Sequence, residues 1–164
     1  MFPYRLERAR PSDAARLEVM ARAFIEAGLR PAWSAARITR HVHHPECVVL
    51  TARLTATLAG FAIMCYAQDS AHLNLLAVDP AHRRRGIARR LLGWLEETAL
   101  TAGTFIVSLE LRASNEGARA FYRSLGYREL ALVPGYYQGV EAALRMERDV
   151  RTRPTAVPST PQPR

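Results

Sequence analysis

Apolar residues recur along this chain with two different periods, and the switches between them mark its elements. Tyr4 to Ala9 alternates and predicts a first strand. Pro11-Ser12-Asp13 then reads as a helix start, with Ser12 or Asp13 as the cap. Ala14, Leu17, Val19-Met20 and Phe24 follow at helical spacing, and the pattern stops near Gly28. Ser34 can cap a second helix, Ala35 to about His43, which Pro45 ends. Three apolar runs come next, Cys47 to Ala52, Thr57 to Ala67 and Leu73 to Val78, separated by short polar turns. They predict an antiparallel meander, with Gly60 as a bulge or a point of close approach. Ile87, Leu91, Leu92 and Leu95 place an amphipathic helix over Ile87 to about Ala99. Phe105 to Arg112 alternates strictly, putting Phe105, Val107, Leu109 and Leu111 on one face. Ser114-Asn115 opens a further helix with Ala118, Phe121, Tyr122 and Leu125 in register, and Gly126 caps its end. Tyr127 to Leu132 and Ala142 to Arg148 form a last strand pair around a loop, Pro134 to Gly139. The order β-α-α-β-β-β-α-β-α-β-β argues for an α/β domain with a mixed sheet.

Composition adds bounds. With 164 residues, 49% hydrophobic and 23% charged, the chain reads as one domain over 1–150, long enough for a sizeable core. From Arg151 a Pro-, Thr- and Arg-rich tail has no core pattern and reads as disordered. Arg151, Arg153 and Arg164 supply +3 of the formal +8, which leaves about +5 for the domain. That charge suits a phosphate-rich cofactor, and it suits nucleic acid as well. Cys47 and Cys65 read as free, buried thiols of a reducing compartment. The first residues lack the apolar run of a signal peptide and no stretch is long enough to span a bilayer. The expectation is a cytoplasmic protein.

The candidate chemistry centres on Arg83-Arg84-Arg85-Gly86-Ile87-Ala88, between an apolar strand and an amphipathic helix. The first N–H groups of a helix have no internal partners and point at whatever sits there. Gly86 and Ala88 allow a phosphate close to the main chain, and the arginines add charge. The run is neither the Lys-Ser/Thr loop of nucleotide triphosphate sites nor a dinucleotide fingerprint. In its strand–turn–helix setting it reads as a pyrophosphate cradle. A solvated face and a nucleic-acid patch also fit three arginines, but a nucleic-acid module calls for an arginine stripe interleaved with aromatics, which is missing here.

Three stretches carry a family likeness: Leu76-Ala-Val-Asp-Pro-Ala-His-Arg-Arg-Arg-Gly-Ile-Ala, the run from Leu109 through Ala-Phe-Tyr-Arg-Ser-Leu-Gly to Tyr127, and Gly135-Tyr136-Tyr137 with Glu141-Ala142. Over residues 4 to 148 the chain resembles the GNAT superfamily of acyl-CoA N-acyltransferases, most of all its bacterial ribosomal-protein alanine N-acetyltransferases. The resemblance implies the GNAT fold, a seven-stranded, mixed and mostly antiparallel sheet splayed centrally, with about four helices around it. It implies acetyl-CoA as cofactor, wedged in the gap. Arg83 would open the cofactor motif, and the N–H groups of Arg84, Arg85, Gly86, Ile87, Ala88 and Arg89 would hold the pyrophosphate. Main-chain groups at Ala77 and Val78 would pair with the pantetheine arm, which Asn115 would also contact. Val78 N–H would serve the thioester oxygen.

The same likeness implies Glu110 as general base and Tyr122 as general acid. An α-amine has a pKa of about 8 and a lysine about 10.4, so a base has work to do. Read without the family, Glu110 is a sheet-face carboxylate paired with Arg112 or another arginine, and Tyr122 a core tyrosine. Tyr136 and Tyr137 either pack the end of the sheet or, as the family implies, line the substrate-binding site. Two segments depart from the subfamily, Gly28 to Trp33 and Gln138-Gly139-Val140, and both should shape the acceptor cleft. His41, His43, His44 and Cys47 invite a metal reading, but no second group has zinc spacing, so none is expected. His72 and His82 read as solvent-facing. The expected activity is direct transfer of an acetyl group to a protein N-terminal α-amine. The rivals are a small-amine acetyltransferase and a non-catalytic acyl-CoA sensor. The expected protein is a monomer or homodimer with no membrane or direct nucleic-acid partner.

Overall fold

The computed structural model describes residues 1–152. Of the tail expected to be disordered, residues 153–164 lie outside the described residues. In chain order the elements are β1 (Arg5–Arg8), α1 (Ala14–Phe24), α2 (Ala35–His43), β2 (Cys47–Leu54), β3 (Thr57–Tyr66) and β4 (Ser70–Val78). They continue with α3 (Ile87–Thr101), β5 (Ile106–Arg112), α4 (Glu116–Ser124), β6 (Arg128–Tyr137) and β7 (Glu141–Asp149). All seven strands join one sheet in the order β1-β2-β3-β4-β5-β7-β6. Every pairing is antiparallel except β4 with β5. The predicted meander is therefore present, and the single parallel step is the crossover through α3.

Two apolar layers sandwich the sheet. On one face Ile87, Leu91, Leu92, Leu95 and Ala99 of α3 and Tyr122 of α4 pack on Ala62 and Met64 of β3 and Leu73 of β4. On the other, Leu17, Met20 and Ala21 of α1 and Ile38 of α2 pack on Phe61 and Ile63 of β3 and Leu75 of β4. Successive side chains of β3 thus enter opposite layers, which is why that strand reads as an unbroken apolar run. Truncating a fully buried leucine such as Leu91 would cost about 2–5 kcal/mol. Local signals hold as expected at several ends. Ser34 Oγ accepts from Arg37 N at 3.1 Å, and Gly126, just past α4, has φ +91°. A Cβ on Gly60 would meet the Ala77 carbonyl oxygen at 2.9 Å, so β3 and β4 approach closely there.

Three expectations are corrected. β6 runs on through Pro134-Gly135 to Tyr137, where a loop is expected from the sequence. It is the outermost strand, where proline is tolerated, and a register shift between Val133 and Tyr137 absorbs the extra residues. β4 begins at Ser70, ahead of the apolar run, and so takes in His72. Cys47 and Cys65 are not free thiols. The β2–β3 register sets them opposite one another, with Cα atoms 4.1 Å apart, and they form a disulfide. A ring nitrogen of His41 and both sulfurs lie within 4.8 Å of one another, but joined sulfurs are not thiolates, the form a metal requires.

Candidate active site

The sheet opens where β4 and β5 part. They pair only from Ser70 with Ile106 to Leu73 with Leu109. Asn74 follows at once, as the extra residue of a bulge: Leu73 pairs with Met64 and Leu75 with Ile63, which leaves Asn74 without a partner on β3. A bulge bends its strand, and β5 remains paired with β7 over its whole length, so β4 diverges alone. Two cavities of about 330 and 620 Å³ meet at the split and share Leu76, Asn115, Ala118 and Tyr122.

The larger cavity is built mainly of backbone. Asp79 Oδ1 accepts from Ala81 N at 2.9 Å and starts the turn. Arg84 (φ +61°) and Gly86 (φ +79°) adopt left-handed conformations that bring the chain into α3. Among the described residues, the amides of Arg84, Arg85, Gly86, Ile87, Ala88 and Arg89 donate to no protein group. Arg83, Arg84, Gly86, Ala88 and Arg89 line the cavity beside them. Arg85 turns elsewhere: its Nη1 donates to the Tyr4 hydroxyl at 3.3 Å, which is bonded to His82 Nδ1 at 2.9 Å. Arg85 and His82 therefore brace the loop on β1, and His82 is not simply solvent-facing. Ile87 is buried in the core and offers only its amide.

The strand above that loop adds polar main chain. Asp79 N donates to Ala59 O, so Val78 and Gly60 form a non-hydrogen-bonded pair, as Leu76 and Ala62 do two residues on. The N–H and C=O groups of Leu76 and Val78 consequently point away from β3, into the gap. Those of Ala77 are used by β3. Of the two expected main-chain partners for a ligand arm, the groups of Val78 face the gap and those of Ala77 do not, whereas those of Leu76 do. Asn74 Oδ1, buried and without a hydrogen-bond partner, lines the smaller cavity at the same split. A phosphate-rich, amide-bearing arm such as that of coenzyme A fits this set of free amides, arginines and unpaired strand groups.

The smaller cavity is built of side chains from several elements. Glu110 faces it from β5. Its Oε2 is 2.9 Å from His72 Nε2 of β4, and its Oε1 accepts from Arg145 Nε of β7 at 3.1 Å. The hydrogen bond to His72, aided by Arg145 and opposed by partial burial, holds the carboxyl below its usual range. Of the arginines that could pair with Glu110 it is Arg145 that does, while Arg112 reaches Glu141. Tyr122 is buried and lines both cavities, and its hydroxyl makes no hydrogen bond to protein among the described residues. Burial keeps its phenol well above the ordinary value, and so protonated. Tyr136 and Tyr137 pack edge to face with centroids 5.0 Å apart and line the cavity. Both phenols are raised, first by burial and then by nearby negative charge. Asn115 lines both cavities, but its Oδ1 is committed to capping α4 through Ala118 N at 3.0 Å.

Several site residues escape the sequence reading. His72 and Arg145 join Glu110, and Asn74 marks the bulge. The far wall holds Glu26, Trp33 and Arg37, with Arg37 stacked 3.8 Å over Trp33 and Glu26 accepting from the amides of Ala32 and Trp33. The two segments that depart from the family pattern meet here. Gln138 Oε1 accepts from Arg30 N at 2.9 Å and its Nε2 donates to Arg30 O at 2.7 Å, tying the β6–β7 turn to the segment before α2. A lone polar residue inside an apolar strand, Asn74, is the one signal in the sequence that could have pointed to the bulge.

Comparison with known proteins agrees with this geometry. The Acetyltransferase (GNAT) family matches residues 14–127. The chain is 43% identical over 102 residues to the ribosomal protein bS18-alanine N-acetyltransferase of Salmonella typhimurium, a match spanning 59% of this chain and 69% of that protein. It is 36% identical over 140 residues to an uncharacterized protein of Mycobacterium leprae, covering 82% of this chain but only 38% of that longer relative. The crystal structure of the ribosomal-protein-S18-alanine N-acetyltransferase from Escherichia coli superposes with a TM-score of 0.78. The identity there is 26%, over 97% of this chain and 99% of that one.

Proposed function

The chain belongs to the GNAT acetyltransferase family, and from that premise we propose that it is an acetyl-CoA-dependent N-acetyltransferase acting on a protein N-terminal α-amine by direct transfer in a ternary complex. The observation that carries this reading is the meeting of two unlike cavities at Tyr122, one with free amides and arginines, the other with a carboxylate. Acetyl-CoA, when bound, supplies an acyl group on a thioester. The amides of Arg84, Arg85, Gly86, Ile87, Ala88 and Arg89 would hold the diphosphate, with Arg83 and Arg84 adding charge. Leu76 and Val78 would pair with the amide arm, and Val78 N–H would serve the acyl oxygen.

Glu110 takes the proton from the amine, and the Tyr122 hydroxyl donates to the departing sulfur. Because the Tyr122 phenol is pushed up, it keeps its proton at every working pH and acts chiefly as a hydrogen-bond donor. An N-terminal acceptor is supported by the named activity of the bS18-alanine relatives. It is also supported by the charge of the cleft: Glu26 is spent on the Ala32 and Trp33 amides and Glu110 on His72 and Arg145, so neither is left to attract a polycation.

The test is release of coenzyme A from acetyl-CoA across peptides with Ala, Ser, Met or blocked N-termini, some with an internal lysine, and across small amines. Turnover confined to free N-termini is expected. Turnover confined to small amines would replace the substrate class, and silence alongside acetyl-CoA binding would favour a sensor.

A further inference from the structure

Glu110, taken alone, is poorly equipped as a base. Both of its oxygens are occupied, Oε1 by Arg145 and Oε2 by His72, and those same contacts lower its affinity for a proton. Pulling a proton from an ammonium group of pKa about 8 onto such a carboxylate is strongly uphill. The residue on its far side changes the account. His72 lines the same cavity, and its side chain is 39% exposed, against 11% for Glu110. Its second nitrogen, Nδ1, lies 3.1 Å from Ser108 Oγ, and that hydroxyl also reaches the carbonyl oxygen of Ala71 at 3.4 Å.

Hydrogen-bond bookkeeping along this chain admits two protonation states. In one, Ser108 donates to a bare Nδ1 and His72 Nε2–H donates to Glu110, so the ring is neutral. In the other, the Ser108 hydroxyl turns to the Ala71 carbonyl and accepts from Nδ1–H, while Nε2–H still donates to Glu110. The ring is then an imidazolium paired with a carboxylate. Rotation of one hydroxyl lets His72 gain a proton without losing a hydrogen bond. Imidazole is also the side chain suited to taking and releasing protons near neutral pH.

We propose that His72 and Glu110 act as one proton acceptor: the proton leaving the amine comes to rest on the imidazole, beside the carboxylate, and departs to solvent from there. This rests on the reading of Glu110 as the base and extends it. The balance is simple. One N–H bond of the ammonium breaks and its electron pair is freed for the acyl carbon, while one N–H bond forms on His72. Arg145 of β7 fixes the carboxylate, and Ser108 of β5 follows the ring's protonation. The other charged groups lining this cavity are Arg112 of β5, Arg37 of α2 and Glu26 after α1, and its phenols are Tyr122 of α4 and Tyr136 and Tyr137 of β6.

The test is the pH profile of kcat and of kcat/KM for the wild type, His72→Gln, Ser108→Ala and Glu110→Gln, with coenzyme A binding measured by calorimetry on each. Gln at position 72 can still donate to Glu110 but cannot take a proton. It is expected to lower kcat roughly tenfold or more and to move the acid limb to lower pH, because the remaining carboxylate protonates later as pH falls. KM for acetyl-CoA and coenzyme A binding should stay as in the wild type. Ser108→Ala should move the profile in the same direction by less, which keeps the test alive should His72→Gln fold poorly. A wild-type rate and limb in His72→Gln, with Glu110→Gln inactive, would overturn the dyad and leave Glu110 as sole base. An active Glu110→Gln would overturn the reading of Glu110 itself, and the dyad with it.

Discussion

The two cavities that meet at Tyr122 differ in what they are made of. The one at the start of α3 presents main chain: amides from the β4–α3 turn and the first turn of α3, shaped by two left-handed residues. The one beside the β6–β7 hairpin presents side chains drawn from β4, β5, β6 and the segment before α2. Backbone offers the same donors whatever the side chains are, so the first cavity is suited to a ligand that never changes. Side chains can be exchanged one at a time, so the second can be re-cut for a new acceptor without disturbing the first. The bond between Gln138 and Arg30 makes the point, since it closes the second cavity with two residues that lie outside the family pattern.

That division can be broken from either side. The largest effect is expected from Glu110→Gln, on the side-chain half. Turnover should fall by roughly a hundredfold while acetyl-CoA binding, followed by calorimetry, stays within a factor of about two. Retained turnover would mean that the second cavity is not where the amine loses its proton. Gly86→Val attacks the backbone half. A β-branched residue at φ +79° is strained by about 1–2 kcal/mol, and relief of that strain turns the amides away. Acetyl-CoA affinity should weaken about tenfold, with the acceptor KM unchanged. Tyr122→Phe tests the junction: a several-fold fall in kcat, with both KM values held, would separate its hydroxyl from its packing.

Smaller effects sharpen the boundary. Gln138→Ala should raise the KM of the acceptor by a few-fold and leave acetyl-CoA affinity alone, because among the described residues its side chain bonds only the Arg30 main-chain groups. Steady-state kinetics with each substrate varied would read this directly. The smallest expected effect is on stability. Because the Glu110 carboxyl is held below its ordinary range, its ion pairs support the fold above that range and fade as pH falls through the folded value. Thermal melts of Glu110→Gln should therefore depend less on pH in the acid range than those of the wild type.

The sequence by itself determined what is local. The caps of α2 and α4, the apolar run of β3 and the Arg/Gly turn into α3 are written in residues a few positions apart, and each appears where the sequence puts it, whereas the cap expected for α1 at Ser12 or Asp13 makes no side-chain bond to its helix. Main-chain amides at a helix start need no distant partner, so the backbone cavity was legible before any fold was known. Tertiary structure decided everything that depends on register. Whether Ala77 or its neighbours face the gap turns on which pairs in the β3–β4 ladder exchange hydrogen bonds, and a shift of one residue reverses the answer. The joining of Cys47 to Cys65 likewise follows from two strands being in step. His72 read as solvent-facing because Ser70, Ala71 and His72 give no apolar signal. Only the four parallel pairs between β4 and β5 bring it to Glu110. Periodicity reports which face of an element is buried, whereas a catalytic contact depends on how far each strand slides along the next.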